Sequence, residues 1–408
     1  MLFFICHKLR THSGKKCKIM RLLRYKVTRR INGIGQGLFC SETVFSSELN
    51  KEFTVVYDCG TLKKDDKNII KNIISSKDFP KEIEYLFISH FHSDHINCIK
   101  DLLRHSVVKH IVMPKITPFQ VVSAFVESSE NYNPNDFQIL KKIFRRTPII
   151  EENRNINYIE IDEYQHIENN PENMEKYRKS ILDKELCIYL DGNKTYKVQY
   201  IPFNLEDSRT RKFINNLCRE YPDLYDALIN MEVGKVSNML KKGGLIREIS
   251  KIYYNTFTRM NETSMPVLSL LKYDKDNIKR SCLYTGDYTT TIDKKDQKLL
   301  QYYSPYINEI AIFQSPHHGS AYDNPQELFD AGFLNYVYSY GAENNFGHPS
   351  VSKKLLDSKK WNSYHTVVDN APKTVEAESI IAESLNFRKN LSKSLDETYN
   401  QQPFFRTL

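Results

Sequence analysis

The sequence has no pair of cysteines in C-x-x-C spacing, no apolar run near the ~18–20 residues of a membrane span, no repeat of solenoid period and no low-complexity tract. Its eight cysteines (Cys6, Cys17, Cys40, Cys59, Cys98, Cys187, Cys218 and Cys282) are scattered. A thiolate zinc finger or a disulfide framework is therefore not expected, and reduced thiols in a cytosol are the default. Cys59 and Cys98 flank polar residues of interest but read as small buried hydrophobes. The opening Leu2-Phe3-Phe4-Ile5-Cys6 is apolar, too short for a secretory signal core and followed by basic residues. A cytoplasmic protein without a membrane-embedded part is the expectation. Neither sign of charge dominates: 58 basic against 50 acidic residues leave +8. That excess permits an anionic substrate and falls far below the basic density of a protein that coats DNA. Apolar residues make up 40% and charged residues 26%, enough for a sizeable core and against global disorder. At roughly 150 residues per domain, 408 residues allow two or three domains, or one large α/β unit with insertions.

Residues 1–22 form a basic arm without clear periodicity, and Met20 is an alternative start. From Tyr25 the pattern changes. Tyr25–Arg29, Leu38–Phe45 and Phe53–Tyr57 read as short strands, the first two separated by Gly33-Ile34-Gly35-Gln36-Gly37. Asn68–Ile74 reads as a helix, Tyr85–Ser89 as a buried strand, Ile96–Leu103 as a helix and His110–Pro114 as the next strand. Strand, helix and strand joined by short links indicate a layered α/β fold. Residues 115–190 mix helical stretches with Asn/Glu-rich loops, and 205–258 read as a largely helical insertion or lid. Strand signals return at Tyr196–Phe203, Val267–Leu271, Ser281–Tyr284, Glu309–Phe313, Tyr336–Tyr340 and Thr366–Val368. The main domain is thus expected over 23–373. An amphipathic closing helix from Thr374 to Phe387 and a loosely ordered end occupy 374–408.

The segment that carries chemistry is His90-x-His92-x-Asp94-His95, at the carboxyl end of a buried strand. Imidazole and carboxylate are ligands for zinc, manganese or iron. Three histidines and an aspartate within six residues are not core packing, because burying them without a cation or hydrogen-bond partners is costly. His90 and His92 point to one side of the strand end. The following turn can aim Asp94 and His95 at a second position, an arrangement suited to two divalent cations sharing a bridging hydroxide.

These residues resemble the metallo-β-lactamase fold hydrolases, whose H-x-H-x-D-H signature is present in full. The resemblance implies a four-layer αββα sandwich. It also implies that Asp58, in Asp58-Cys59-Gly60, supports the site from behind, and that Asp287, in Thr285-Gly286-Asp287, supplies the carboxylate bridging the two cations. The order of Gly33-x-Gly35-Gln36-Gly37, Asn261-x-x-Ser264, Tyr284–Asp287, Ser315-Pro316-His317-His318-Gly319-Ser320 and Gly347-His348-Pro349-Ser350 is similar to the branch holding the soluble hydrolase domain of ComEC-type DNA-uptake proteins. Some phosphorylcholine esterases are similar too. The resemblance spans about 25–115 and 260–370.

On that basis His317 or His318 completes the second cation position while its neighbour contacts substrate, with the assignment open between them. His348 is either a group over the cleft or an ordinary loop histidine. Asn261 and Ser264 either shape the cleft or contact phosphate oxygens. Many members of the wider family carry one more metal histidine between the first cluster and the bridging aspartate. Here that interval offers only His105 on a helix, His110 at a strand start and His166 in a polar loop, so the first cation is expected on His90, His92, Asp287 and water.

The reading that follows is a hydrolase using two divalent cations, zinc first and manganese second, with Asp94, His348 and His318 at the reacting centre. A phosphodiester is the first-choice substrate, DNA or RNA included. Arg209, Arg211, Lys212 and Arg219 are either a basic wall for such a polyanion or a solvated helix face. Two alternatives stand beside it. One is a lactone, thioester or other small-molecule ester hydrolase of the same fold. The other is a partner-activated subunit of a multi-protein, defence-type operon. The oligomeric state is not legible.

Overall fold

The computed structural model describes residues 22–407 except 64, 131–133, 151–154, 166–170, 258–263, 274–277, 291–293, 342–343, 345–346, 352–361, 369–372 and 385–403. Two mixed sheets face each other. The first has eight strands: β1 (Leu22–Ile31), β2 (Gly37–Ser46), β3 (Lys51–Thr61), β4 (Glu82–Phe87), β5 (Val107–Pro114), β6 (Asn157–Ile161), β14 (Val375–Ser384) and β15 (Phe404–Thr407). Their order is β15-β14-β1-β2-β3-β4-β5-β6. The second has seven strands: β7 (Cys187–Tyr189), β8 (Lys197–Pro202), β9 (Val267–Leu271), β10 (Ser281–Tyr284), β11 (Ile310–Gln314), β12 (Asn335–Gly341) and β13 (Asn362–Val368). Their order is β13-β12-β11-β10-β9-β8-β7. In each sheet one half is antiparallel and the other parallel, β3 to β6 in the first and β10 to β13 in the second.

Helices cover both outer faces and complete the expected αββα sandwich. α1 (Asp66–Ser75), α2 (Ser93–Ile96), α3 (Ile99–His105), α4 (Pro118–Glu130) and α5 (Pro134–Phe144) follow strands of the first sheet. α6 (Pro171–Leu182), α11 (Lys295–Tyr303) and α12 (Gln326–Asp330) pack with the second. Between β8 and β9 run α7 (Arg209–Glu220), α8 (Pro222–Ile229), α9 (Val233–Lys241) and α10 (Leu245–Thr256). These four helices of the 205–258 segment bury Phe213, Leu217, Val236, Leu240 and Tyr253 in one core with α4 and α5. Phe119 of α4 meets Phe213 and Phe257 at ring distances of 5.8 and 5.0 Å. No described helix is long and apolar enough to cross a membrane. The six cysteines among the described residues are all free thiols.

The helix expected over Ile96–Leu103 is divided at Asn97-Cys98. The Asn97 side chain donates to the Thr61 carbonyl at 2.8 Å and accepts from the Thr61 N–H at 3.2 Å. The Cys98 N–H donates to the Cys59 carbonyl at 3.0 Å. These bonds pin the turn to the end of β3 and interrupt the helical ladder.

The expected C-terminal helix is not formed. Residues Val375–Ser384 make the strand β14, antiparallel to β1 along its whole length from Leu22↔Ser384 to Ile31↔Val375. A two-residue alternation competes with the helical period in Val375-Glu376-Ala377-Glu378-Ser379, and cross-strand charge decides between them. Arg30 reaches Glu376 at 2.5 Å and Lys26 reaches Glu378 at 2.5 Å. Phe404–Thr407, expected to be loose, continues the sheet as β15.

An ion pair buried between the sheets joins them. Arg29 of β1 bonds Glu42 of β2 at 2.8 Å, Ser379 of β14 at 3.1 Å and Ser269 of β9 at 3.2 Å. Tyr200 of β8 donates to Glu42 at 2.6 Å. Every charge-bearing group of the pair is thus hydrogen-bonded, which offsets its desolvation. The variant Arg29→Met strands Glu42 without its cation. It is expected to lose about 3–5 kcal/mol of stability, read as a lower denaturant midpoint in circular dichroism.

Candidate metal centre

The site sits where ligands collect in α/β sheets, beyond the carboxyl ends of parallel strands. Asp58 lies in β3, His90–His95 follow β4, Asp287 follows β10, His317 and His318 follow β11, and His348 follows β12. Asp58, fully buried, is the anchor. Its carboxylate accepts the Ser89 N–H at 2.7 Å, the Ser89 hydroxyl at 2.6 Å and Nδ1–H of His95 at 2.8 Å. With its proton committed to Asp58, the Ser89 hydroxyl accepts Nδ1–H of His90 at 2.9 Å. Gly60 is required by close approach: a Cβ there would stand 2.6 Å from the Asp94 carbonyl carbon and 2.7 Å from the His95 nitrogen.

The carboxylate from the other sheet is aimed by its turn. Gly286 has φ +57°, and a Cβ there would meet the hydroxyls of Ser264 at 2.5 Å and Ser89 at 2.9 Å. Gln314 accepts the N–H groups of Thr285 at 2.8 Å and Gly286 at 2.9 Å. The buried Ser264 hydroxyl accepts the Asp287 N–H at 3.1 Å and donates to the Thr285 carbonyl at 3.2 Å. Of the two roles considered for Ser264, this geometry is the shaping one; Asn261 lies outside the described residues.

The adjacent histidines are separated by backbone. His317, His318 and Gly319 all have positive φ, 48°, 56° and 82°. The tight turn sends the two rings to different partners. His317 Nδ1 meets Asp323 at 2.9 Å, whereas His318 Nδ1 donates to the Ser339 carbonyl of β12 at 2.7 Å. His318 Nε2 then faces Asp287 Oδ1 at 3.5 Å. Asp94, His95, Asp287 and His318, all buried, each offer one ligand atom, and these atoms lie within 4.8 Å of one another.

Whether a cation fits can be tested on distances. Ligand bonds of ~2.0–2.1 Å at tetrahedral angles put neighbouring donors roughly 3.3 Å apart. His95 Nε2 is 3.4 Å from Asp287 Oδ2 and 3.9 Å from Asp94 Oδ2. The Nε2 atoms of His90, His95 and His318 are buried and lack a hydrogen-bond partner. In each ring Nδ1 is the donor, so Nε2 is the nitrogen left toward the cleft, available to a cation once His95 has given up its extra proton. Two imidazoles and two carboxylates thus form a candidate cation site, and His90 stands beside it with its ring centroid 4.1 Å from that of His95. His92 stands apart from this group: its Nε2 contacts Glu127 of α4. Its ring lies 4.2 Å from that of His90.

Electrostatics follow from burial and crowding. Burial alone would lower His95, yet the carboxylates of Asp287, Asp94 and Asp58 carry it well above its ordinary value. Burial alone would raise Asp287, yet His318 and His95 hold it well below the carboxylate range. Burial, then His95 and His92, keep His90 well below its ordinary value. Burial opposes protonation of His317, but the Asp323 bond and the charge of Asp287 raise it. His348 lies over the same cleft, its ring 5.4 Å from His317 and 6.2 Å from His318. Burial and these two rings push it down to about 4, so it is neutral at pH 7.

The remaining histidines go elsewhere. His105 meets Lys81 and His110 stacks on Tyr85, while His166 lies outside the described residues. The arginines considered as a basic wall are each paired: Arg209 with Asp207, Arg211 with Glu206 and Arg219 with Glu220. Sequence reasoning missed Glu127, Tyr253, Ser89, Gln314, Asp323 and Ser339. Only Glu127 carried a signal, as an acid directly after the apolar run Ala124-Phe125-Val126 of a buried helix.

Residues 43–145 match the family model described as the metallo-beta-lactamase superfamily. The matched segment holds Asp58 and His90–His95 and stops short of Asp287. No curated protein matches the sequence. Among solved structures, a long-form RNase Z from yeast is similar at 9% identity and a TM-score of 0.34, covering 87% of this chain. The chain spans 41% of the length of that structure.

A proton on His95 has to leave before its Nε2 can bind a cation, so affinity rises with pH. Zinc titrations of chelator-treated protein are expected to weaken by about tenfold per pH unit for each proton displaced as the pH falls below neutrality. An affinity flat with pH contradicts the site. Gly60→Ala, which drives the Asp94 backbone away, is expected to lower zinc affinity at every pH.

Proposed function

We propose that the chain is a cation-dependent hydrolase of anionic esters, phosphodiesters first. The observation that carries this reading is the buried set of Asp94, His95, Asp287 and His318, drawn from both sheets, with Nε2 of His95 and of His318 left without a hydrogen-bond partner in it. Asp287 meets His95 through Oδ2 and His318 through Oδ1 within this one set. His90 and His92 are the residues for a second cation beside it, and zinc or manganese suits such ligands. When bound, a divalent cation pair supplies Lewis-acid activation of water and of the scissile ester near neutral pH.

The chain's own residues do the rest. Asp58 and Ser89 fix Nδ1 of His95 and His90, which leaves Nε2 of each ring toward the cleft. His317, backed by Asp323, is drawn toward its protonated form and can hydrogen-bond an oxyanion or leaving oxygen. His348, neutral at pH 7, offers one donor and one acceptor over the same cleft. The order of the glycine, Gly-Asp, His-His-Gly-Ser and Gly-His-Pro motifs supports a place near the ComEC-type branch.

The pairing of Arg209, Arg211 and Arg219 with carboxylates favours a second reading, a small phosphodiester, lactone or thioester over a long polyanion. A panel of bis-p-nitrophenyl phosphate, single- and double-stranded DNA, RNA and a lactone separates the two. Asp94→Ala and Asp287→Asn are each expected to reduce turnover of the true substrate at least about a hundredfold. Turnover that survives both substitutions places the activity elsewhere.

A further inference from the structure

His92 belongs to the His-x-His pair, yet it is tied outward to the helical layer. Its Nε2 contacts the Glu127 carboxylate of α4. Glu127 is buried, and its other oxygen accepts the Tyr253 hydroxyl of α10 at 3.0 Å. Tyr253 is locked in place by aromatic rings: Phe119 at 6.2 Å, Phe213 at 5.8 Å and Phe257 at 5.0 Å. Toward an ionised Glu127, Nε2 of His92 can only donate, which leaves Nδ1 as the nitrogen free for a cation. Asp58 does the same for His95 from the sheet side. The helical side therefore has its own buried carboxylate, attached to a different imidazole.

Resting on the hydrolase reading above, we propose that Glu127, held by Tyr253, is the positioning residue for His92. It leaves Nδ1 as the one coordinating nitrogen of that ring and sets the affinity of the cation position that His90 and His92 form. α10, part of the 205–258 segment, thereby acts on the metal centre through a chain of three side chains, Tyr253, Glu127 and His92. Contacts of this kind behind a ligand change metal affinity by about 10–100-fold when removed.

Zinc competition titrations, with stoichiometry from elemental analysis and d–d spectra of the cobalt-loaded protein, test this on the full chain. Wild type is expected to bind two cations. Glu127→Gln should weaken one of them about 10–100-fold and alter its cobalt spectrum, leaving the other unchanged. Tyr253→Phe, which keeps the ring packing, should weaken the same cation less. His92→Ala should remove that cation, and adding Glu127→Gln to His92→Ala should cost nothing more. If Glu127→Gln does not fold, Tyr253→Phe alone and with His92→Ala gives the same readout. Unchanged binding in the folded variants, equal weakening of both cations, or additive loss in the double variant overturns the assignment. So does a wild-type chain that takes up one cation which His92→Ala leaves in place. Uptake of none overturns the hydrolase reading itself.

Discussion

A buried imidazole has two nitrogens and a low-dielectric surrounding satisfies both or pays for the one left over. In this protein the nitrogen facing away from the cleft is committed in every ring of the cluster: His95 to Asp58, His90 to Ser89, His318 to the Ser339 carbonyl and His92 to Glu127. For His90, His95 and His318, what remains is a buried Nε2 without a hydrogen-bond partner. At His90 and His318 a proton is a poor occupant, because burial and the neighbouring imidazoles disfavour its charge. A cation satisfies several lone pairs at once.

Holding that cluster together requires the two sheets to keep a constant distance. The histidine-rich corner and Asp58 come from the first sheet, while Asp287, His318 and Ser339 come from the second. The Arg29–Glu42 pair and its hydroxyl partners span the same interface further from the site. An ionic tie gives little net stability, but it admits few alternative registers. The Asp58 bond to Ser89 and the Met265 N–H bond to the Ser89 carbonyl at 2.8 Å complete the join beside the candidate ligands. The site is therefore a property of the interface between sheets, with neither sheet carrying it alone.

The helical layer reaches the same centre from outside. In many enzymes an insertion shapes only the substrate entrance. Here α10 packs its aromatic face on α4, and the contact ends at a histidine of the signature motif. The packing that buries these rings, at ~1.5–3 kcal/mol of transfer energy each, also holds the Tyr253 hydroxyl against Glu127.

How much of this was readable in advance differs residue by residue. His90, His92, Asp94 and His95 were legible because all lie within six residues at a strand end, where local chemistry has no other use for them. Asp58 and Asp287 were reached through resemblance, since an isolated Asp before or after glycine is common in turns. The strand β14 was misread as a helix because Val375–Ser384 suits both periods, and only the unpaired edge of β1 with its Lys26 and Arg30 chose between them. His317 and His318 were chemically identical in the sequence; three successive left-handed residues separated them. By itself the sequence determined which ligand types exist and on which strand ends they sit, because those follow from composition and period. The tertiary structure alone decided which nitrogen of each ring faces the cleft and that Glu127 and Tyr253 stand behind His92. Those facts depend on partners up to 126 residues away in the chain, and a hydrogen bond has no sequence period.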